Sequence, residues 1–208
     1  MNPRAMDPFG AALLAFFNGD TAAELILHRD DGQEYALPVS HFYRDPSEFA
    51  PIDNAAMDRC TGRVLDVGAG TGLHSLVLQR KGLPVTAIDI SSHAVDIMKQ
   101  RGVTDARCAD IFEFQGGRFD TLLMMGHGIG MVETIAGLDR FLAHAHDLLY
   151  ENGQVLLHSL DVRATDDPRN LAYHEANRQA GRYIGETRVQ CEFHGEKGPY
   201  CGWLHVDA

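Results

Sequence analysis

The chain has 208 residues, 45% hydrophobic and 23% charged, the balance of a soluble globular protein with room for one sizeable core. Eighteen basic against 29 acidic residues leave a formal net charge of −11, which repels phosphate backbones and argues against nucleic acid as a partner. No apolar run reaches the roughly 20 residues of a membrane helix, so no membrane association is expected. Cys60, Cys108, Cys191 and Cys201 lack C-x-x-C spacing, which excludes a zinc knuckle or redox dithiol; they read as buried or half-buried thiols in a reducing, cytoplasmic compartment.

Residues 1–60 predict a small cap. Phe9, Leu13, Phe16 and Phe17 share one helical face, and the run is flanked by Asp7-Pro8 and Asn18-Gly19-Asp20 instead of signal-peptide boundaries. Glu24–His28 and Tyr35–Val39 then flank an Asp30-Asp31-Gly32 turn. From residue 61 to 162, short apolar runs alternate with helical patterns, the signature of a parallel α/β sheet. Strands are expected at Val64–Val67, Pro84–Ile90, Ala106–Cys108, Phe119–Met125 and Gly153–Ser159. Helices are expected over Leu73–Arg80, over Ser92–Arg101 with Gly102 as its stop, and over Thr134–Tyr150 with Ile135, Leu138, Leu142, Ala145 and Leu149 on its buried stripe. Residues 163–208 predict a short helix, Asn170–Ala180, and a hairpin: Tyr183–Phe193 alternates cleanly, Gly195–Pro199 turns, and Tyr200–Val206 returns.

The most informative segment is Val64-Leu-Asp-Val-Gly-Ala-Gly-Thr-Gly72, a strand entering a glycine loop that opens a helix. Such a loop brings backbone close to a ligand and offers unpaired helix N–H groups to it. A phosphate-cradling P-loop needs Gly-Lys-Ser/Thr, whereas Gly72 is followed by Leu73-His74. The dinucleotide pattern G-x-G-x-x-G requires glycine at 73, which is leucine, so a nicotinamide or flavin site is weakened but stays open. Asp66 at the mouth of the loop would repel pyrophosphate and favour a cationic ligand.

The run Leu65-Asp66-Val67-Gly68-Ala69-Gly70-Thr71-Gly72 resembles the first motif of class I S-adenosylmethionine-dependent methyltransferases, and further signals follow in order over about residues 40–160. These are Asp89-Ile90 ending the second strand, Asp110-Ile111 after the third, Phe119–Gly126 as the fourth strand and its exit, and Leu148–Gln154 before the fifth. The resemblance implies a Rossmann-like sheet of the bacterial small-molecule type with an N-terminal cap, and S-adenosyl-L-methionine as cofactor. It implies cofactor contacts from Asp66, Gly68, Ala69, Gly70 and Gly72, ribose hydroxyls on Asp89 beside Ile90, and the adenine near Asp110 and Ile111. Met125 and Gly126 would border the methionine part. Apart from the resemblance, Phe42-Tyr43 is expected either to cover the cofactor from the cap, with Tyr43 as a contact, or to anchor the cap to the sheet.

Methyl transfer from a sulfonium is an in-line displacement that gains mostly from alignment and desolvation, so a base is needed only for protonated acceptors. His127, in the loop after the fourth strand, is the candidate catalytic residue; His41, His158 and Tyr43 are alternatives, and Trp203 is a candidate stacking partner for an aromatic acceptor. His74 is expected to pack or cap locally. No metal is expected, because His144 and His146, two apart on a helix, cannot face one ion. Related enzymes close the sheet with two further strands, whereas the 48 residues after Leu160 are consumed by a helix and hairpin. Either the hairpin replaces those strands or, the favoured reading, it is a substrate-side insertion with the closing strands missing and an open sheet edge that invites a homodimer. The expected function is methyl transfer to a small-molecule acceptor; a cofactor-binding protein with lost or partial catalysis and a nicotinamide oxidoreductase remain alternatives.

Overall fold

The structure, a computed structural model, describes residues 1–207. Helix α1 (Asp7–Phe17) precedes the hairpin β1 (Glu24–Arg29) and β2 (Glu34–Pro38), and α2 (Pro51–Arg59) leads into the core. The core alternates β3 (Val64–Val67), α3 (Leu73–Arg80), β4 (Val85–Asp89), α4 (Ser92–Arg101), β5 (Ala106–Cys108), β6 (Phe119–Met124), α5 (Ile135–Leu148) and β7 (Leu149–Leu157). Its five strands are all parallel, in the order β5-β4-β3-β6-β7. That is the expected α/β Rossmann-like sheet. β3 is buried at all four positions because neighbours flank it and helices cover both faces. Leu65, Leu122, Met124 and Phe141 fill one side, and Val64, Leu78 and Leu123 the other, each side chain contributing about 1.5–3 kcal/mol on burial.

Beyond the core lie α6 (Pro168–Gln179), β8 (Glu186–Phe193), β9 (Glu196–Lys197) and β10 (Cys201–Leu204). These strands do not join the parallel sheet. Among the described residues no sixth or seventh strand closes it, and β7 is an open edge. The two flanks, read separately in the sequence, pair with one another: β8 lies antiparallel between β10 and β1, in the order β10-β8-β1-β2. At this seam His28 lies between two carboxylates, its Nδ1 2.9 Å from Glu34 and its Nε2 2.6 Å from Glu192. Arg29 forks onto Asp31 at 2.7 and 2.8 Å, reaches Asn170 on α6 at 2.8 Å, and lies over the Tyr173 ring. Each end of the chain thus supplies half of one cap sheet.

Several expectations shift. The buried stripe of α5 is Gly137, Phe141, Ala145 and Leu148, whereas Leu142 is 45% exposed. Adjacent apolar residues at 141 and 142 admit two stripes, and packing selects the aromatic one. Cys60, Cys191 and Cys201 are buried, but Cys108 is exposed because β5 is a three-residue edge strand. Burial pushes the Cys60 and Cys191 thiols up to about 12. Helix α2 had no strong sequence signal. It begins at Pro51, and the Asp53 carboxylate accepts the Ala50 N–H at 3.1 Å.

Candidate active site at the carboxyl ends of the parallel strands

The glycine loop leaves β3 at the middle of the sheet. Gly68, Gly70 and Gly72 take φ values of +67°, +56° and +75°, so the alternation of glycines follows from a backbone that L side chains rarely adopt. Gly72 caps α3, and a Cβ there would approach Val103 at 2.7 Å. A Cβ on Gly70 or Gly126 would meet nothing within 4 Å, which marks two open faces of the crevice. Over Gly68 sits Met131, whose Cε would lie 2.4 Å from an added Cβ.

Asp89, at the end of β4, is the best-placed acid. Its carboxylate accepts the Gly70 and Ser91 N–H groups, each at 2.9 Å, and so fixes the loop to the neighbouring strand end. Burial raises its pKa, while the two backbone donors oppose that rise. Ala69 is pinned beside it, its N–H donating to the Ile88 carbonyl at 3.1 Å. Ile90 is half-buried, and its carbonyl accepts the Cys108 thiol at 3.6 Å. Asp110 follows β5 and accepts the Phe112 N–H at 2.9 Å, while Ile111 is 4% exposed within the core. The α-ammonium of Met1 stands 3.8 Å from both Asp110 and Glu133, so these two carboxylates face a common space.

Three expected cofactor contacts lie elsewhere in this structure. Asp66 is 2% exposed beneath the loop, where the Ser75 hydroxyl donates to it at 2.6 Å. Burial pushes its carboxyl up, and it ties β3 to α3 instead of presenting charge at the mouth. The reason is strand geometry: a side chain on a central parallel strand points into a covered face. Tyr43 stacks on Phe16 at 4.7 Å, and its hydroxyl donates to the Leu13 carbonyl at 2.7 Å, so it anchors the cap on α1. Met125 is 8% exposed and packs with Met57 and Leu73.

His127 also stands at this end of the sheet, at φ +60° in the exit from β6. Its ring stacks on His158 at 4.3 Å and meets His205 edge-on at 5.7 Å. Its backbone N–H donates to His158 Nδ1 at 3.3 Å, so neutral His158 carries its proton on Nε2. Burial lowers the pKa of all three rings, that of His205 to about 4. The Nδ1 atoms of His127 and His205 are buried with no hydrogen-bond partner. His205 escaped the sequence reading because its chain segment looked like plain hairpin. So did Met131, a loop residue with no periodic signal. Beside the cluster, Asp53 on α2 receives Arg44 at 3.0 Å and lies 2.9 Å from His74 Nε2, which holds its carboxyl well below the usual carboxylate range. His74 thus packs locally, as expected. Trp203 lies against Gly130, where a Cβ would meet the indole at 2.1 Å. No cluster of metal-ligating side chains exists among the described residues.

Comparisons with known proteins place the fold and the family. Residues 38–195 match a family described as a methyltransferase domain. A crystal structure of a SAM-dependent methyltransferase from Bacteroides fragilis, in complex with S-adenosyl-L-homocysteine, superposes with a TM-score of 0.83 at 31% identity. The alignment covers 100% of this chain and 84% of that one. A ubiquinone biosynthesis O-methyltransferase from Chelativorans sp. (strain BNC1) is 27% identical over 130 residues, 59% of this chain and 47% of that protein. A magnesium-protoporphyrin O-methyltransferase from Rhodobacter capsulatus is 39% identical over 75 residues, 33% of this chain and 34% of that protein. The chain thus spans half or less of the curated relatives it matches. With a match across three quarters of its length, a glycine loop on the central strand and an acid on the next strand end, this chain belongs to the methyltransferase-domain family.

Proposed function

We propose that the chain binds S-adenosyl-L-methionine in the crevice above Gly68–Gly72 and transfers its methyl group to a small-molecule acceptor. The observation that carries this reading is the Asp89 carboxylate, held by the Gly70 and Ser91 amides with lone pairs left over for a vicinal diol. The surroundings fit the cofactor. Open space lies over Gly70 and Gly126, and the loop offers glycine backbone without the lysine a phosphate site would need. Asp89 and Ile90 would border the ribose, Asp110 and Ile111 the adenine, and Gly68, Ala69, Gly70 and Gly126 the methionine part. When bound, the cofactor supplies an electrophilic methyl group. The protein's part is to align an acceptor behind that carbon and exclude water.

His127 is the candidate proton acceptor. Burial and the neighbouring His158 hold its imidazole neutral at pH 7, so it takes a proton without first releasing one. The O-methyltransferase activity in the names of the curated relatives supports a hydroxyl acceptor. The net charge of −11 supports a metabolite over nucleic acid, and four free thiols support a cytoplasmic setting.

Calorimetric titration with S-adenosylhomocysteine and with NAD tests this reading. S-adenosylhomocysteine should bind and NAD should not; NAD binding with no response to S-adenosylhomocysteine refutes it. Methyl release from labelled cofactor with a panel of hydroxylated and amino metabolites separates turnover from mere binding.

A further inference from the structure

On the outer side of the glycine loop, away from Asp89, a cavity of about 220 Å³ opens between α3, α4 and the turn after β2. It is lined by Tyr43, Arg44, Asp45, Leu76, Arg80 and Arg101, three guanidiniums against one carboxylate in a chain that is otherwise strongly anionic. Arg44 is already spent, donating to Asp53 at 3.0 Å and to the His41 carbonyl at 2.7 Å. Asp45 accepts the Ser47 N–H at 2.9 Å and its hydroxyl at 2.7 Å on one carboxylate oxygen; these bonds, and after them the Arg80 charge, hold its carboxyl below the usual carboxylate range. Arg101 donates one N–H to the Thr71 carbonyl at 2.7 Å and lies 5.2 Å over the Tyr43 ring. Its remaining donors and the whole Arg80 fork have no protein partner among the described residues. Burial, and after it the Arg80 charge, hold Arg101 below its ordinary pKa. Arg80 and Arg101 therefore share one concave site with a single carboxylate, Asp45, which offsets only one of their two charges.

We propose that this cavity binds a small phosphate-bearing anion between Arg80 and Arg101. Two guanidiniums arriving from two helix ends suit an acceptor with three oxygens, whereas a carboxylate is filled by a single fork. The long-range repulsion of an anionic chain does not prevent this, because charges beyond about 8–10 Å are screened at ordinary salt while the paired arginines act at contact. Arg101 is also the link to the glycine loop through Thr71, so an anion on Arg101 touches the element that shapes the crevice on its other side.

The test is an NMR titration of the arginine Nε–H signals in the full chain at constant ionic strength. Inorganic phosphate is the probe in one arm and glycerol 3-phosphate in the other. Saturable shifts of the Arg80 and Arg101 signals are expected. Saturation by inorganic phosphate identifies a free-ion site, and saturation by the ester alone identifies a phosphate carried on a larger molecule; either supports the proposal. Arg80→Gln, an exposed position, and Arg101→Gln should each weaken binding about tenfold or more, as for a lost charged hydrogen bond. Arg80→Gln should leave S-adenosylhomocysteine affinity as it was, so this site and the methyltransferase reading stand or fall separately. Shifts that never saturate with either probe, or equal affinity in the wild type and Arg80→Gln, overturn the proposal.

Discussion

Replacing Asp89 with alanine removes a side chain that joins the glycine loop to the neighbouring strand end. Each carboxylate oxygen accepts one backbone N–H at 2.9 Å, from Gly70 and from Ser91, and each keeps a second lone pair for a ligand hydroxyl. A hydrogen bond to a charged group contributes about 1.5–3 kcal/mol. Water refills the emptied crevice in the variant, so the pair of hydroxyl contacts is counted as one such bond and not two. The expected loss in S-adenosylhomocysteine affinity is therefore roughly 10- to 150-fold. The stability cost is smaller, on the order of 1 kcal/mol. Gly70 and Ser91 are only half-buried, and deleting a carboxylate whose pKa burial raises returns part of its desolvation cost. Calorimetry gives the first quantity and urea unfolding the second. An unchanged dissociation constant in a folded variant would refute the placement of the ribose on Asp89. A large stability loss with normal affinity would make Asp89 a structural staple only.

His127→Asn keeps a residue that tolerates the left-handed backbone at φ +60°. It should abolish most turnover while leaving S-adenosylhomocysteine affinity intact; unchanged methyl release would reduce His127 to a wall of the site. Gly130→Ala drives a Cβ to within 2.1 Å of the rigid Trp203 indole and should cost about 1–3 kcal/mol in chemical unfolding, partly relieved by Trp203→Ala in the same chain. Ser75→Ala strips the buried Asp66 of its hydroxyl donor and should cost about 1.5–3 kcal/mol in urea unfolding. His205, with its pKa lowered to about 4 by burial and by the His127 and His158 charges, takes up its proton more readily in the unfolded chain. Stability is then fully present above pH 6.5 and falls as pH drops from 6.5 towards 4; His205→Gln should flatten that limb in melts taken across the window.

The core was legible because its signals are local. An apolar strand, glycines that must turn through positive φ and an acid at the next strand end are all set by near neighbours, and so β3, the glycine turn and β4 with Asp89 at its end fall where the pattern puts them. The side on which a residue such as Asp66 points depends on which helix covers the strand, and that is decided by packing. The stripe of α5 had two solutions, and only the fit of Phe141 beside Leu65 and Leu122 chose between them. The union of β1 with β8 left no local trace, since alternation marks a strand but not its partner. The same holds for the histidine cluster, whose members come from three separate segments at 127, 158 and 205.

Pairing Ile26 with Glu192 brings together residues 166 positions apart, while each parallel strand finds a neighbour much nearer in sequence. Loop closure of that span carries an entropic cost that the nearer pairings escape. During synthesis the nucleotide-sized crevice can therefore form on the ribosome while its roof is still half missing. The hairpin made first waits with one hydrogen-bonding edge bare until residues 186–193 emerge, which makes that edge the place where newly made chains are most exposed to mispairing with one another.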